Sequence, residues 1–148
     1  TTVAKVKKAP EFGVALPELS LQSGSHEWEV TIGGEGLHWC AVGVATPSAV
    51  QGAQSLRRSQ FCGKAWFLHS KGFLCDGDTF VDGWESTPPF NVGDQVTVHL
   101  DLDRGHVSFS CNRNRIPGSI SGVQGPVAPM VYMDGCGVTC TFDHLPSQ

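Results

Sequence analysis

Long hydrophobic runs are missing from this chain, and so is any excess of positive charge. No apolar stretch approaches the ~20 residues that a bilayer span needs, and residues 1–12 lack the apolar segment of a secretory leader. Membrane insertion is therefore not expected. Lys and Arg total 10 against 14 Asp and Glu, a net charge of −4, so the field that drives nucleic-acid binding by counterion release is not supplied. Helical periodicity is missing as well: no window of ten or more residues spaces its apolar side chains as one helix face would.

The signatures of chemistry are just as sparse. A structural zinc site wants paired Cys or His ligands, yet the nearest cysteines, Cys136 and Cys140, have no second pair beside them. Asp76, Asp78 and Asp82 begin like a calcium loop, but Glu85 comes too early to close one and no helices flank it. Gly33-Gly34-Glu35-Gly36 joins strand to strand and offers no helix N-terminus to a phosphate. No serine sits on a strand-to-helix elbow, and the adjacency of Ser25 and His26 says nothing about a triad, which the fold assembles. The expectation is a chain with no catalytic residues, no metal and no cofactor.

What the chain does have is 18 Gly, 9 Pro and 40% apolar residues, a composition suited to many short strands joined by tight turns. Residues 1–11 read as a linker or an edge segment from a preceding domain, and 12–148 as one β-sandwich domain. In His26 to Ile32 apolar side chains fall at every second position, so Trp28, Val30 and Ile32 face a core. After the glycine turn, His38 to Ala45 returns as a more buried strand expected to pair antiparallel with the first. Residues 46–62 read as a loop or an irregular helical turn, and 72–90 as a long connection rich in aromatics, Phe73, Phe80 and Trp84 among them.

Between these, Lys64 to His69 forms a strand with Trp66 and Leu68 on one face and Phe67, His69 and Lys71 on the other. Val96 to Asp103 and His106 to Cys111 alternate strictly around Asp103-Arg104-Gly105, a hairpin by pattern and by turn chemistry. His99 and His106 fall on its polar face, near one another. Val127 to Met133 and Val138 to Phe142 supply two last strands around Asp134-Gly135. Trp28, Trp39 and Trp66 are assigned to the core, and Trp84, in a loop, to a plug or a binding anchor. Two packed antiparallel sheets follow, an all-β sandwich, with Cys40, Cys62, Cys75, Cys111, Cys136 and Cys140 as buried reduced thiols. Reduced thiols point to a reducing compartment, the cytoplasm.

The run Ser23-Gly24-Ser25-His26-Glu27-Trp28-Glu29-Val30, then Ala41-Val42-Gly43-Val44-Ala45, Trp66, Val98 to Phe109 through Leu100-Asp101-Leu102-Asp103, and Pro126-Val127-Ala128-Pro129 resembles the SPRY domain family. The resemblance spans about residues 12–143, with its two most telling pieces about 70 residues apart in the family's order. The Leu-Asp-Pro element of the PRY extension found in longer members is absent. The resemblance implies a bent, concanavalin-like jelly-roll sandwich without enzymatic activity, used for recognition. Such domains occur in tripartite-motif ubiquitin ligases and in SOCS-box adaptors that recruit a cullin ligase.

By position, the resemblance assigns partner contacts to Tyr132, Met133, Asp134 and Gly135 in the loop before the last strand, and to Phe67, His69 and Lys71 on the strand starting at Trp66. Met133 beside Asp134 in a turn would offer an adaptable apolar group next to a fixed acceptor, which suits an extended peptide. With Trp84 these residues define the expected surface for a protein or short peptide, and the isolated domain is expected to be a monomer. Two other readings compete: a carbohydrate-binding module using Trp84 with Asp76, Asp78 and Asp82, and a hydrolase of unfamiliar type.

Overall fold

In the computed structural model, side-chain alternation sorts the strands into two six-stranded antiparallel sheets. The structure describes residues 4–7, 11–15, 19–37, 39–50, 63–77, 79–81, 88–134 and 138–146. Sheet A runs β1 (Ala4–Lys7), β12 (Val138–Asp143), β3 (Ser25–Gly34), β8 (Gln95–Asp101), β9 (His106–Cys111) and β10 (Asn114–Arg115) in spatial order. Sheet B runs β2 (Glu11–Ala15), β11 (Ala128–Asp134), β4 (Trp39–Ala45), β5 (Ala65–His69), β6 (Phe73–Asp76) and β7 (Thr79–Phe80). A single helical turn, α1 (Pro47–Val50), follows β4.

Trp28, Val30 and Ile32 on β3, Val96, Val98 and Leu100 on β8, and Val107 and Phe109 on β9 all point inward, and none is more than 2% exposed. They meet Cys40, Val42 and Val44 of β4, Trp66 and Leu68 of β5, and Val131 and Met133 of β11 in one core cluster between the sheets. Each such side chain contributes about 1.5–3 kcal/mol by leaving water. The hairpin turn between β8 and β9 forms as its sequence predicts: Gly105 sits at φ +71°, and Asp101 Oδ1 accepts the Arg104 amide at 3.1 Å.

One expected pairing is overturned. β3 and β4 do not form a hairpin: β3 lies between β12 and β8, and β4 between β11 and β5. Both strands carry an apolar inner face, and they stack across the core in opposite sheets instead of sharing a ladder. The aromatic connection also holds more order than its sequence suggests, since Phe73–Asp76 and Thr79–Phe80 extend sheet B as β6 and β7. Ala4–Lys7 joins β12 and Glu11–Ala15 joins β11, so the opening segment adds an edge strand to each sheet.

Candidate functional site

The outer face of sheet B is unusual because it is apolar and covered. Ala41, Ala45, Ala65, Phe67, Cys75, Ala128, Met130 and Tyr132 form a second cluster there, each with no exposed surface. Small residues on β4 make this possible. At Gly43 an added Cβ would run into the Trp66 carbonyl oxygen and approach Phe67 Cα to 2.6 Å, so glycine is what lets β5 lie this close. With Ala41 and Ala45 flanking it, β4 becomes a smooth floor over which rings from the neighbouring strands lie.

Those rings form a continuous row. Tyr132 stacks on Trp39 with centroids 5.0 Å apart, and Trp39 on His69 at 4.7 Å and only 11° from parallel. His69 then meets Phe73 at 5.7 Å, and Phe73 meets Phe80 at 4.9 Å. Backbone register sets the order, with Tyr132 and His69 both opposite Ala41 and Phe73 opposite His69. His69 Nδ1 accepts the Lys71 amide at 3.1 Å, which fixes the ring plane and leaves that nitrogen unprotonated. The row begins at Tyr132, fully buried, and ends at Phe80, which is 42% exposed. Phe80 forms a wall of an open groove of about 430 Å³ shared with Asp76, Thr79, Ser119 and Ser121.

The residues expected at the site divide sharply. Lys71 is exposed at the turn after β5. Phe67 and Tyr132 are completely buried in the outer cluster, and His69 is 3% exposed within the ring row. Met133 does not stand in a turn: β11 continues to Asp134, paired with both β2 and β4, and carries Met133 inward to the core between the sheets. Asp134 closes that strand opposite Trp39, while Gly135 and Trp84 lie outside the described residues. Trp39, expected in the core, belongs to the outer row, sharing its parity with Ala41 and Gly43 rather than with Cys40 and Val42. Asp78 and Asp82 are likewise outside the described residues, and Asp76 Oδ1 takes the Gly63 amide at 2.6 Å. No observation therefore favours the sugar-binding cluster.

Reactive groups are few among the described residues. The Cys40 thiol is pushed well up by burial and by the neighbouring Cys140, partly offset by a hydrogen bond with Ser70; Cys140 is raised to about 12 by burial. Neither is a nucleophile in this state. On the outer face of sheet A, Ser110 Oγ lies 2.9 Å from His99 Nε2, and His99 Nδ1 lies 3.6 Å from Glu27 Oε2. Hydroxyl, imidazole and carboxylate in that order are the groups of a serine hydrolase, but Ser110 sits mid-strand with β8 on one side and β10 on the other. Its backbone amide belongs to the sheet ladder and cannot hold an oxyanion. No group of three or more His, Cys, Asp or Glu gathers as a metal site among the described residues, and none of their helices is long and apolar enough to cross a membrane.

A family model for the SPRY domain matches residues 25–144. Among solved structures, the SPRY domain of human HERC1 is similar with a TM-score of 0.68 and 17% identity, covering 99% of this chain and 90% of that one. Stonustoxin is similar with a TM-score of 0.56 and 17% identity, over 82% of this chain and 19% of that protein. At such identities both likenesses speak for the fold. No curated protein sequence matches the chain.

Proposed function

The chain belongs to the SPRY domain family, and on that premise we propose that it is a non-catalytic recognition module holding an extended segment of a partner protein against the exposed end of the ring row. SPRY domains are in general protein-interaction modules. The observation that carries the reading is Phe80: a large aromatic, 42% exposed, braced from behind by Phe73, His69 and Trp39, and standing at the wall of a groove. A ring held in place loses little entropy on binding, and recognition surfaces use such anchors. Lys71 and Phe80 make the contacts, and Asp134, Gly135 and Trp84 are further candidates, the last two outside the described residues. Phe67, His69, Tyr132 and Met133 act from beneath by holding the strands and rings in position.

The larger role we propose is selection of a substrate for a ubiquitin ligase, by residues 12–148 acting as a monomeric unit with 1–11 as its edge segment. Free thiols at Cys40, Cys75, Cys111 and Cys140 support a reducing, cytoplasmic setting. Photocrosslinking from benzoylphenylalanine placed at position 80, with the exposed position 35, which lines neither groove, as control, tests the surface in cells. Discrete ubiquitinated adducts from position 80 that vanish with Lys71→Glu are expected. Equal adducts from both positions would overturn the site, and adducts that are never ubiquitinated would overturn the ligase role alone.

A further inference from the structure

The outer face of sheet A, which alternation leaves to water, is not uniform. Where β3, β8, β9 and β10 run side by side it dips into an open groove of about 420 Å³. Its floor is set by register. His99 lies between Glu27 and Ser108, and Asp101 lies between Ser25 and His106. The turn Asn112-Arg113, with φ of 50° and 70°, folds β10 back so that Arg115 stands opposite Ser110. Asn112 is pinned there, its Oδ1 accepting the Gln95 amide at 2.9 Å and its Nδ2 donating to Asp94 at 2.8 Å.

From this turn Arg115 Nη2 donates to Ser108 Oγ at 3.0 Å, and Ser108 is only 7% exposed, so a buried hydroxyl aims an exposed guanidinium. Asp101 faces Arg104 at 3.9 Å and Glu27 faces His99 at 3.6 Å. Arg115 pairs with no carboxylate among the described residues. Glu27 and Asp101 line the same groove, but each lies beside a partner of its own, Glu27 beside His99 and Asp101 beside Arg104.

The geometry points to an oxyanion subsite on this face, whose ligand is a phosphate monoester carried on a segment of a partner protein. A guanidinium fork alone satisfies a planar carboxylate, whereas a phosphate brings three acceptor oxygens and calls for donors from several directions. The groove supplies them: Arg115 from β10 and the imidazole of His106 from β9, both of which line it, whereas the ring nitrogens of His99 face Ser110 and Glu27. An imidazole keeps at least one N–H in either protonation state. Ser119 lines both this groove and the one beside Phe80, but the donors of the subsite are not those of the anchor, and it stands or falls on Arg115.

The probes are a Gly-Gly-phosphoserine-Gly-Gly peptide, its unphosphorylated twin and inorganic phosphate, each titrated into the 148-residue chain while backbone amide shifts are followed. The phosphopeptide is expected to give saturable shifts at Ser108, His106 and Arg115, with binding at least about tenfold weaker in Arg115→Gln and unchanged in Glu35→Ser, an exposed position that lines neither groove. The twin should give none, and inorganic phosphate should bind more weakly. Arg115 is exposed, so the variant should keep the wild-type melting temperature, and Arg115→Lys should recover part of the affinity. Saturation absent up to about 10 mM, or full binding by Arg115→Gln, would overturn the subsite. Inorganic phosphate binding as tightly as the peptide would overturn the protein-borne source.

Discussion

Sheet A shows water Glu27, Glu29, Thr31, Thr97 and His99, each opposite an inward-facing neighbour along its strand, whereas the outer face of sheet B holds Ala41, Phe67, Met130 and Tyr132 with no exposed surface at all. One sheet thus bounds a single core and the other separates two. In sheet A a side chain is assigned inside or outside by its position, and the outside is free to carry polar chemistry such as the Arg115 groove. In sheet B the central strands are buried on both faces, and among the described residues the second apolar layer is most exposed where the ring row ends at Phe80. The recognition surface we propose is the rim of that second core, which explains how a solitary exposed ring can be rigid.

The sharpest way to break this contrast is to truncate one large side chain in each layer. Trp28→Ala between the sheets and Phe67→Ala outside sheet B should each cost about 3–5 kcal/mol in urea denaturation; a loss below about 1 kcal/mol for Phe67→Ala would mean the outer layer is no core. Next comes Gly43→Ala, where the new methyl group meets the Trp66 carbonyl oxygen and Phe67 Cα; separating β4 from β5 should cost about 1–3 kcal/mol. A neutral result would remove the close approach on which the ring row depends.

A smaller effect separates the enclosed thiols from the surface. Burial raises Cys140 to about 12 from an ordinary value of 9.0, so above pH 9 the unfolded chain gives up this proton while the folded chain keeps it. Stability present below pH 9 should therefore be lost progressively as pH rises toward 12, by up to about 1.4 kcal/mol per pH unit for this thiol. Cys140→Ala should flatten the slope in paired urea titrations, and an unchanged slope would count against the burial. The smallest change is expected from Thr97→Ala on the wet face of sheet A, within about 0.5 kcal/mol. A cost several times larger would give that face a packing role.

The same contrast marks what the sequence could reveal. β3 and β8 are legible because one buried face imposes a period of two, β9 because apolar and small polar residues alternate along it, and Gly105 because its turn needs a positive φ. Where both faces are buried the period disappears, and with it the clue to orientation: Trp39 sits in a strand pattern and reads as core, yet its parity with Ala41 and Gly43 places it outside. Partnering was illegible for a different reason. A short glycine link between two strands with apolar inner faces fits a hairpin and a crossing between sheets equally well, and β3 with β4 takes the crossing. At the site, Phe73 and Phe80 stood out as aromatics in a supposed loop, but β6 and β7 are only 4 and 2 residues long, too short to show a pattern. Met133 reads as a turn residue but lies within a strand, because strand length is set by partners and β2 and β4 carry β11 past it to Asp134.

The opening strands have a consequence for how the molecule behaves in a crowd. Ala4–Lys7 and Glu11–Ala15 shield the flanks of a six-residue strand in one sheet and a seven-residue strand in the other. A version of the protein trimmed to start at Ser20 would strip both flanks at once and bare two rows of unsatisfied amides and carbonyls, a template on which further copies polymerise. Ala4–Lys7 and Glu11–Ala15 thus occupy the sides of β12 and β11 on which a neighbour could otherwise add a strand.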